Sequence, residues 1–152
     1  MSDLLTELSQ ITQSLEEHKV EYAVCGGLAL TILGFPRATF DLDILIRNES
    51  LEQSFEIAKT FGFDIHGLDM SFKERAVEIR RVSKIDDDGE VLSLDFLLVT
   101  PAVEDVWTDR KTINWQGNPM SIVSRDGLIR MKELAGRPKD LIDIDRIRNE
   151  GN

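Results

Sequence analysis

The sequence predicts an α/β (α+β) fold in which one mixed β-sheet is flanked by helices. Three observations predict it. Segments with helical periodicity alternate with short strand-like runs along the chain. Two turn signals, Asp86-Asp87-Asp88-Gly89 and Gly117-Asn118, join neighbouring runs into hairpins. The runs themselves are too mixed in character for a purely parallel sheet.

Taken in order, Leu4, Leu8, Ile11 and Leu15 recur at helical spacing, so residues 3–18 read as an amphipathic helix. Residues 21–25 (EYAVC) form a short apolar strand ending at Gly26-Gly27, and residues 28–33 form a helix closed by Gly34 and Pro36. Residues 39–47 alternate, with Phe40, Leu42, Ile44 and Ile46 pointing one way and Asp41 and Asp43 the other. A second surface helix spans 51–61. Strands over 76–85 and 91–99 follow, then a helix over 101–109 and a hairpin pairing 111–116 with 120–123. Residues 125–149 are helical with a break at Gly136-Arg137-Pro138.

Composition narrows the function. A chain of 152 residues, 41% hydrophobic and 30% charged, suits one domain with one core. No window approaches the roughly 18 apolar residues of a membrane span, and the polar, acidic N-terminus lacks the pattern of a signal peptide. The single cysteine, Cys25, sits among apolar neighbours and reads as a buried small side chain in a cytoplasmic protein. With 28 acidic against 18 basic residues, a net charge of −10, the chain has no dense basic stripe, which counts against a DNA-wrapping module but not against an enzyme that grips one RNA end or one nucleotide.

The chemistry concentrates in the stretch CGGLALTILGFPRATFDLDILI, residues 25–46. Carboxylates two residues apart on one strand stand side by side and repel by up to a few kcal/mol, a repulsion a cation would offset. Hard oxygens without histidine or cysteine nearby suit Mg²⁺ or Mn²⁺. Asp95, set among Leu94, Phe96, Leu97 and Leu98, is costly there unless paired or metal-bound. Gly26 and Gly27 would offer backbone N–H groups to a triphosphate at a helix start. Each piece also has a plainer reading: Asp-x-Asp as a solvent face, Gly-Gly as a turn, Asp95 as a partner for an arginine. The Asp86–Asp88 run reads as a turn only. Near the end, Lys139 and Asp143 are spaced to pair along a helix at i,i+4.

The order glycine pair, thirteen residues, Asp-Leu-Asp, later strand aspartate resembles the DNA polymerase beta-like nucleotidyltransferase superfamily. Arg37-Ala-Thr39-Phe-Asp41-Leu-Asp43 and Arg137-Pro-Lys139-Asp140-Leu-Ile-Asp143 are similar to runs in small bacterial members related to abortive-infection (AbiEii-type) nucleotidyltransferase toxins. The resemblance implies a Mg²⁺-dependent (or Mn²⁺-dependent) enzyme that moves a nucleoside monophosphate from an NTP to an acceptor hydroxyl on tRNA or other RNA, a protein or a small molecule. It implies Asp41, Asp43 and Asp95 as metal ligands and catalytic groups. Gly26, Gly27, Arg37, Thr39, Lys132 and Lys139 would be nucleotide contacts. It also implies a toxin-type role with a cognate antitoxin. A second reading keeps the fold as an inactive nucleotide-binding or antitoxin-like module; the presence of all three carboxylates favours catalysis.

Overall fold

The computed structural model describes residues 4–36 and 39–150. Its helices are α1 (Leu4–Glu17), α2 (Gly26–Ile32), α3 (Leu51–Thr60), α4 (Glu104–Thr108), α5 (Arg125–Ala135) and α6 (Pro138–Glu150). Its strands are β1 (Tyr22–Cys25), β2 (Asp41–Ile46), β3 (Ile65–His66), β4 (Met70–Phe72), β5 (Val77–Ile85), β6 (Val91–Leu98), β7 (Lys111–Trp115) and β8 (Asn118–Ile122). All strands join one sheet in the order β3-β5-β6-β2-β1-β8-β7, with β4 also pairing β5. The pairs β2·β6 and β1·β8 are parallel and the others antiparallel, so the mixed sheet is as expected.

The two faces of the sheet have different duties. On one, α1 and α3 pack together, burying Leu8, Ile11 and Leu15 against the apolar side of β2 (Leu42, Ile44, Ile46). Full burial of each such side chain stabilises by about 1.5–3 kcal/mol. Phe55 of α3 meets Phe96 of β6 edge to face at 5.7 Å, which fixes α3 on this side. On the other face, α2 lies over β1 and β2 and touches α5, and α5 carries α6. That second layer covers only part of the face, leaving a cleft beside β2, β5 and β6.

Both hairpins form. In the first, Asp86 Oδ1 accepts from the backbone N–H groups of Asp88 and Glu90 at 2.9 Å each, and Gly89 takes φ +81°. The Asp86–Asp88 run is therefore a turn. The break before α6 also forms: Gly136 closes α5 in the left-handed conformation and Pro138 opens α6.

Several expectations need correction. Helix α2 begins at Gly26, two residues before the expected start, so the glycine pair forms its first turn. Strand β2 begins at Asp41; Phe40 precedes the pairing and is 80% exposed at the cleft instead of sharing the core with Leu42. The helix over 101–109 splits into a 3₁₀ turn, Pro101–Val103, and α4. Strands β3 and β4 were not anticipated, being too short to show periodicity; each forms by pairing with β5.

A buried ion pair ties α1 to the sheet. Lys84 Nζ donates to Glu7 Oε1 at 2.7 Å and to the Phe61 carbonyl at 2.9 Å. Lys84→Met leaves Glu7 buried with an unpaired charge and should cost about 3 kcal/mol. Adding Glu7→Leu should recover most of the loss. Urea midpoints of the three proteins check this.

Candidate active site

Register builds the site. Parallel pairing of β2 with β6 sets Asp43 directly opposite Asp95, and Asp41 opposite Ser93. Neighbouring strands lie about 4.8 Å apart, so Asp41, Asp43 and Asp95 share one face within a small area. Antiparallel pairing of β5 with β6 then sets Arg81 opposite Asp95. All four side chains line a cleft of about 670 Å³. Gly26, Gly27, Thr39, Lys132 and Lys139 line the same cleft. The expected site residues thus come together, except Arg37, which lies outside the described residues.

Arg81 is the residue that sequence reasoning missed. Its Nε donates to Asp95 Oδ1 at 2.7 Å and its Nη2 to Asp95 Oδ2 at 2.9 Å, a two-pronged ion pair on a carboxylate only 7% exposed. The same guanidinium reaches Asp41 Oδ2 at 3.7 Å. Its hydrogen bond to Asp95 raises the Arg81 pKa further. The signal was present in the first hairpin: a turn that sets Ile85 opposite Val91 also sets Arg81 opposite Asp95, four pairs further in.

The glycine pair has a packing reason of its own. Gly26 has φ +67°, and a Cβ there would run into the Asp43 carboxylate. A Cβ on Gly27 would stand 2.6 Å from Thr39 Oγ1. The missing side chains let Asp43 and Thr39 lie against the first turn of α2. Cys25, just before the pair, is fully buried, and burial pushes its thiol pKa well up, which suits a packing residue rather than a nucleophile.

Lys132 sits at the back of the cleft, 8% exposed. Its Nζ donates to Asp143 Oδ2 at 3.0 Å and lies 3.8 Å from Asp140 Oδ1. Asp140 in turn receives Arg137 Nε at 2.6 Å, Arg137 Nη2 at 3.1 Å and the Arg137 backbone N–H at 3.1 Å. Burial works to raise the Asp140 pKa, but these hydrogen bonds outweigh it and hold it below the usual range. Asp143 therefore pairs with Lys132 and not with Lys139, because Asp143 turns inward while Lys139 is exposed. Lys139 instead acts electrostatically on Asp41.

Negative charge in the cluster is only partly offset. Desolvation, then the charges of Asp95 and Asp41, push the Asp43 pKa up to about 7, against the pull of Arg81 and Lys132. Desolvation also raises Asp41. Among the described residues, no three Asp, Glu, His or Cys side chains form a ready-made metal cage. The adjacent Asp41 and Asp43 fit a different kind of ion, one held by one or two carboxylates that fills its remaining positions with water and substrate oxygens, as Mg²⁺ does.

The raised Asp43 pKa has a stability consequence in metal-free protein. Between pH about 4 and about 7 the folded chain holds a proton at Asp43 that the unfolded chain has released. The contribution of Asp43 to stability is therefore highest at the acidic end and is lost as pH rises through about 7. Asp43→Asn, which mimics the protonated form, should melt close to the parent near pH 4 and several degrees above it past pH 7, with about 2–4 °C for each kcal/mol. Melts in EDTA across this range check it. Gly26→Ala should cost on the order of 1–3 kcal/mol through strain at positive φ and displacement of Asp43, read from the urea midpoint.

No protein-family model matches the chain, and no curated protein matches it at a significant level. Solved structures do match. A Thermotoga maritima protein provisionally designated a nucleotidyltransferase aligns with TM-score 0.63 and 16% identity over 97% of this chain and 93% of its own. ANT(2″)-Ia, in complex with adenylyl-2″-tobramycin, gives TM-score 0.61 and 16% identity over 95% of this chain and 87% of its own. The lincosamide antibiotic adenylyltransferase LnuA, bound to lincomycin, gives TM-score 0.57 and 13% identity over 95% and 96%. At these identities the likeness speaks for architecture, and this chain has the nucleotidyltransferase fold.

Proposed function

We propose that this chain is a Mg²⁺-dependent (or Mn²⁺-dependent) nucleotidyltransferase that moves a nucleoside monophosphate from an NTP to the hydroxyl of a small-molecule acceptor. The observation that carries the reading is the register pairing of Asp43 with Asp95, with Asp41 beside them, in one cleft with the glycine pair. Such a cluster of carboxylates is costly in an empty cleft and useful when cations and phosphates enter it.

In this reading Asp41 and Asp43 hold the divalent ion, and the ion's contribution is charge stabilisation at the phosphoryl oxygens and a lowered pKa for the acceptor hydroxyl. Gly26 and Gly27 admit the β- and γ-phosphates close to the backbone of α2. Exposed Lys139 and buried Lys132 supply positive charge on the phosphate side, and the Asp140–Asp143 network keeps Lys132 in place. The acceptor oxygen attacks the α-phosphorus, the bond to the β-phosphate oxygen breaks, and pyrophosphate leaves. The hydroxyl proton passes to the carboxylate cluster, of which Asp41, 45% exposed, is the accessible member.

Three observations support a small acceptor. One wall of the cleft is apolar, lined by Met70, Phe72, Val77, Ile79, Leu97 and Met131. The net charge of −10 opposes a nucleic-acid track. Structural neighbours include adenylyltransferases that carry antibiotics in their names. A toxin-type role with an RNA or protein acceptor and a cognate antitoxin has the C-terminal Arg137–Asp143 motif in its favour. That motif, however, has a packing duty around Lys132.

The test is incubation with each labelled NTP and Mg²⁺, with a panel of hydroxylated small molecules in one arm and total RNA or lysate protein in the other. Label should move to a small molecule. Asp41→Asn and Asp43→Asn should each lower transfer by about 10²–10³-fold or more. Transfer by Asp41→Asn at the parental rate would remove the metal assignment.

A further inference from the structure

We propose that Arg81 is the built-in cation of this site: it occupies Asp95 in place of a metal and leaves Asp41 and Asp43 to bind a single divalent ion. The inference rests on the reading of Asp41 and Asp43 as cation ligands given above.

The geometry is specific. Both oxygens of Asp95 accept from one guanidinium, at 2.7 and 2.9 Å, so the fork covers the edge of the carboxylate that would face an ion. The register of β5 on β6 holds the two residues opposite each other, so the pair is anchored at both backbones and not by a flexible loop. Asp95 is 7% exposed whereas Arg81 is 36% exposed. The acid is thus sealed beneath the base, and an ion coming from the cleft meets the guanidinium first. The 3.7 Å approach to Asp41 adds a second anchor.

Charge and hydration point the same way. A guanidinium stays protonated at any working pH, so this positive charge is permanent. An ion that took Asp95 would have to break two charge-assisted hydrogen bonds and leave an unpaired guanidinium beside a dication. Both steps are costly in a half-buried cleft. Asp41 meets the guanidinium through one oxygen only, at 3.7 Å, and among the described residues no guanidinium fork covers Asp43. Asp41 is 45% exposed and reachable. Arg81 therefore acts as a positioning residue that sets how many ions the cluster accepts.

The probe is Mn²⁺ alone. Its binding to the nucleotide-free chain of 152 residues is followed by loss of the free-ion electron paramagnetic resonance signal, above the titration range of Asp43. The parent should take up one equivalent. Arg81→Ala should take up a second, because Asp95 becomes available. Arg81→Ala combined with Asp95→Asn should return to one. If Arg81→Ala does not fold, Arg81→Gln, which keeps a hydrogen-bond donor but not the charge, carries the same expectation. A parent that binds two equivalents overturns the proposal while leaving Asp41 and Asp43 as ligands. A parent that binds none overturns both readings. A folded Arg81 variant that stays at one equivalent makes the arginine merely structural.

Discussion

Like-charge repulsion among Asp41, Asp43 and Asp95 is the constraint around which this site is arranged. Two strands in parallel register bring the carboxylates onto one face, and the pairing of the sheet keeps their backbones side by side. The chain answers with cations of graded mobility. Arg81 is clamped to Asp95 by two hydrogen bonds, Lys132 is buried in a network of its own, and Lys139 is exposed at the mouth. What they leave uncompensated adds to the burial that is the main cause of the rise of the Asp43 pKa to about 7. That residual charge is the physical reason to look for a cation and a phosphate chain in the cleft.

The C-terminal helices serve that arrangement from behind. Pro138 and Gly136 force a sharp turn between α5 and α6, which folds Asp140 and Asp143 back toward Lys132. Arg137 closes the turn from both its backbone and its side chain. Lys132 is shared between Asp143 and Asp140, and Asp140 between Lys132 and Arg137, so the charged groups are linked through common partners into one network. Its output is a lysine ammonium held at a fixed place behind Asp43, able to lower the carboxylate's pKa without covering it.

The glycine pair links the two layers. Because α2 starts at Gly26 with φ +67°, the chain turns from β1 straight into a helix lying over β2. Only a residue without Cβ allows the Asp43 carboxylate to pack against that first turn. Room for a carboxylate and room for a phosphate are the same room here, and a side chain at either glycine would fill it. The opposite face, where α1 and α3 bury Leu8, Ile11, Leu15 and Phe55 against the sheet, bears the cost of stability and leaves the cleft side free for chemistry.

Much of this was legible in the residues themselves. Periodicity gave the long helices and the alternation of Asp41, Leu42, Asp43 and Ile44; glycine and aspartate clusters gave the two hairpins; a lone aspartate among leucines marked Asp95 as needing a partner. These are local properties, set by backbone geometry and by the mismatch between a charge and its neighbours. Strands β3 and β4 were not legible, because two or three residues carry no period and exist only by pairing with β5. The choice of Lys132 over Lys139 for Asp143 was not legible either. Helical spacing allows the i,i+4 pair, and only the packing of α6 against α5 decides which side of Asp143 is inside. Above all, the sequence by itself determined that the three aspartates needed a counter-charge, whereas the tertiary structure decided its source. The partner of Asp95 came from a strand fourteen residues back, since sheet register, and not proximity along the chain, brings a guanidinium within 2.7 Å of a buried carboxylate.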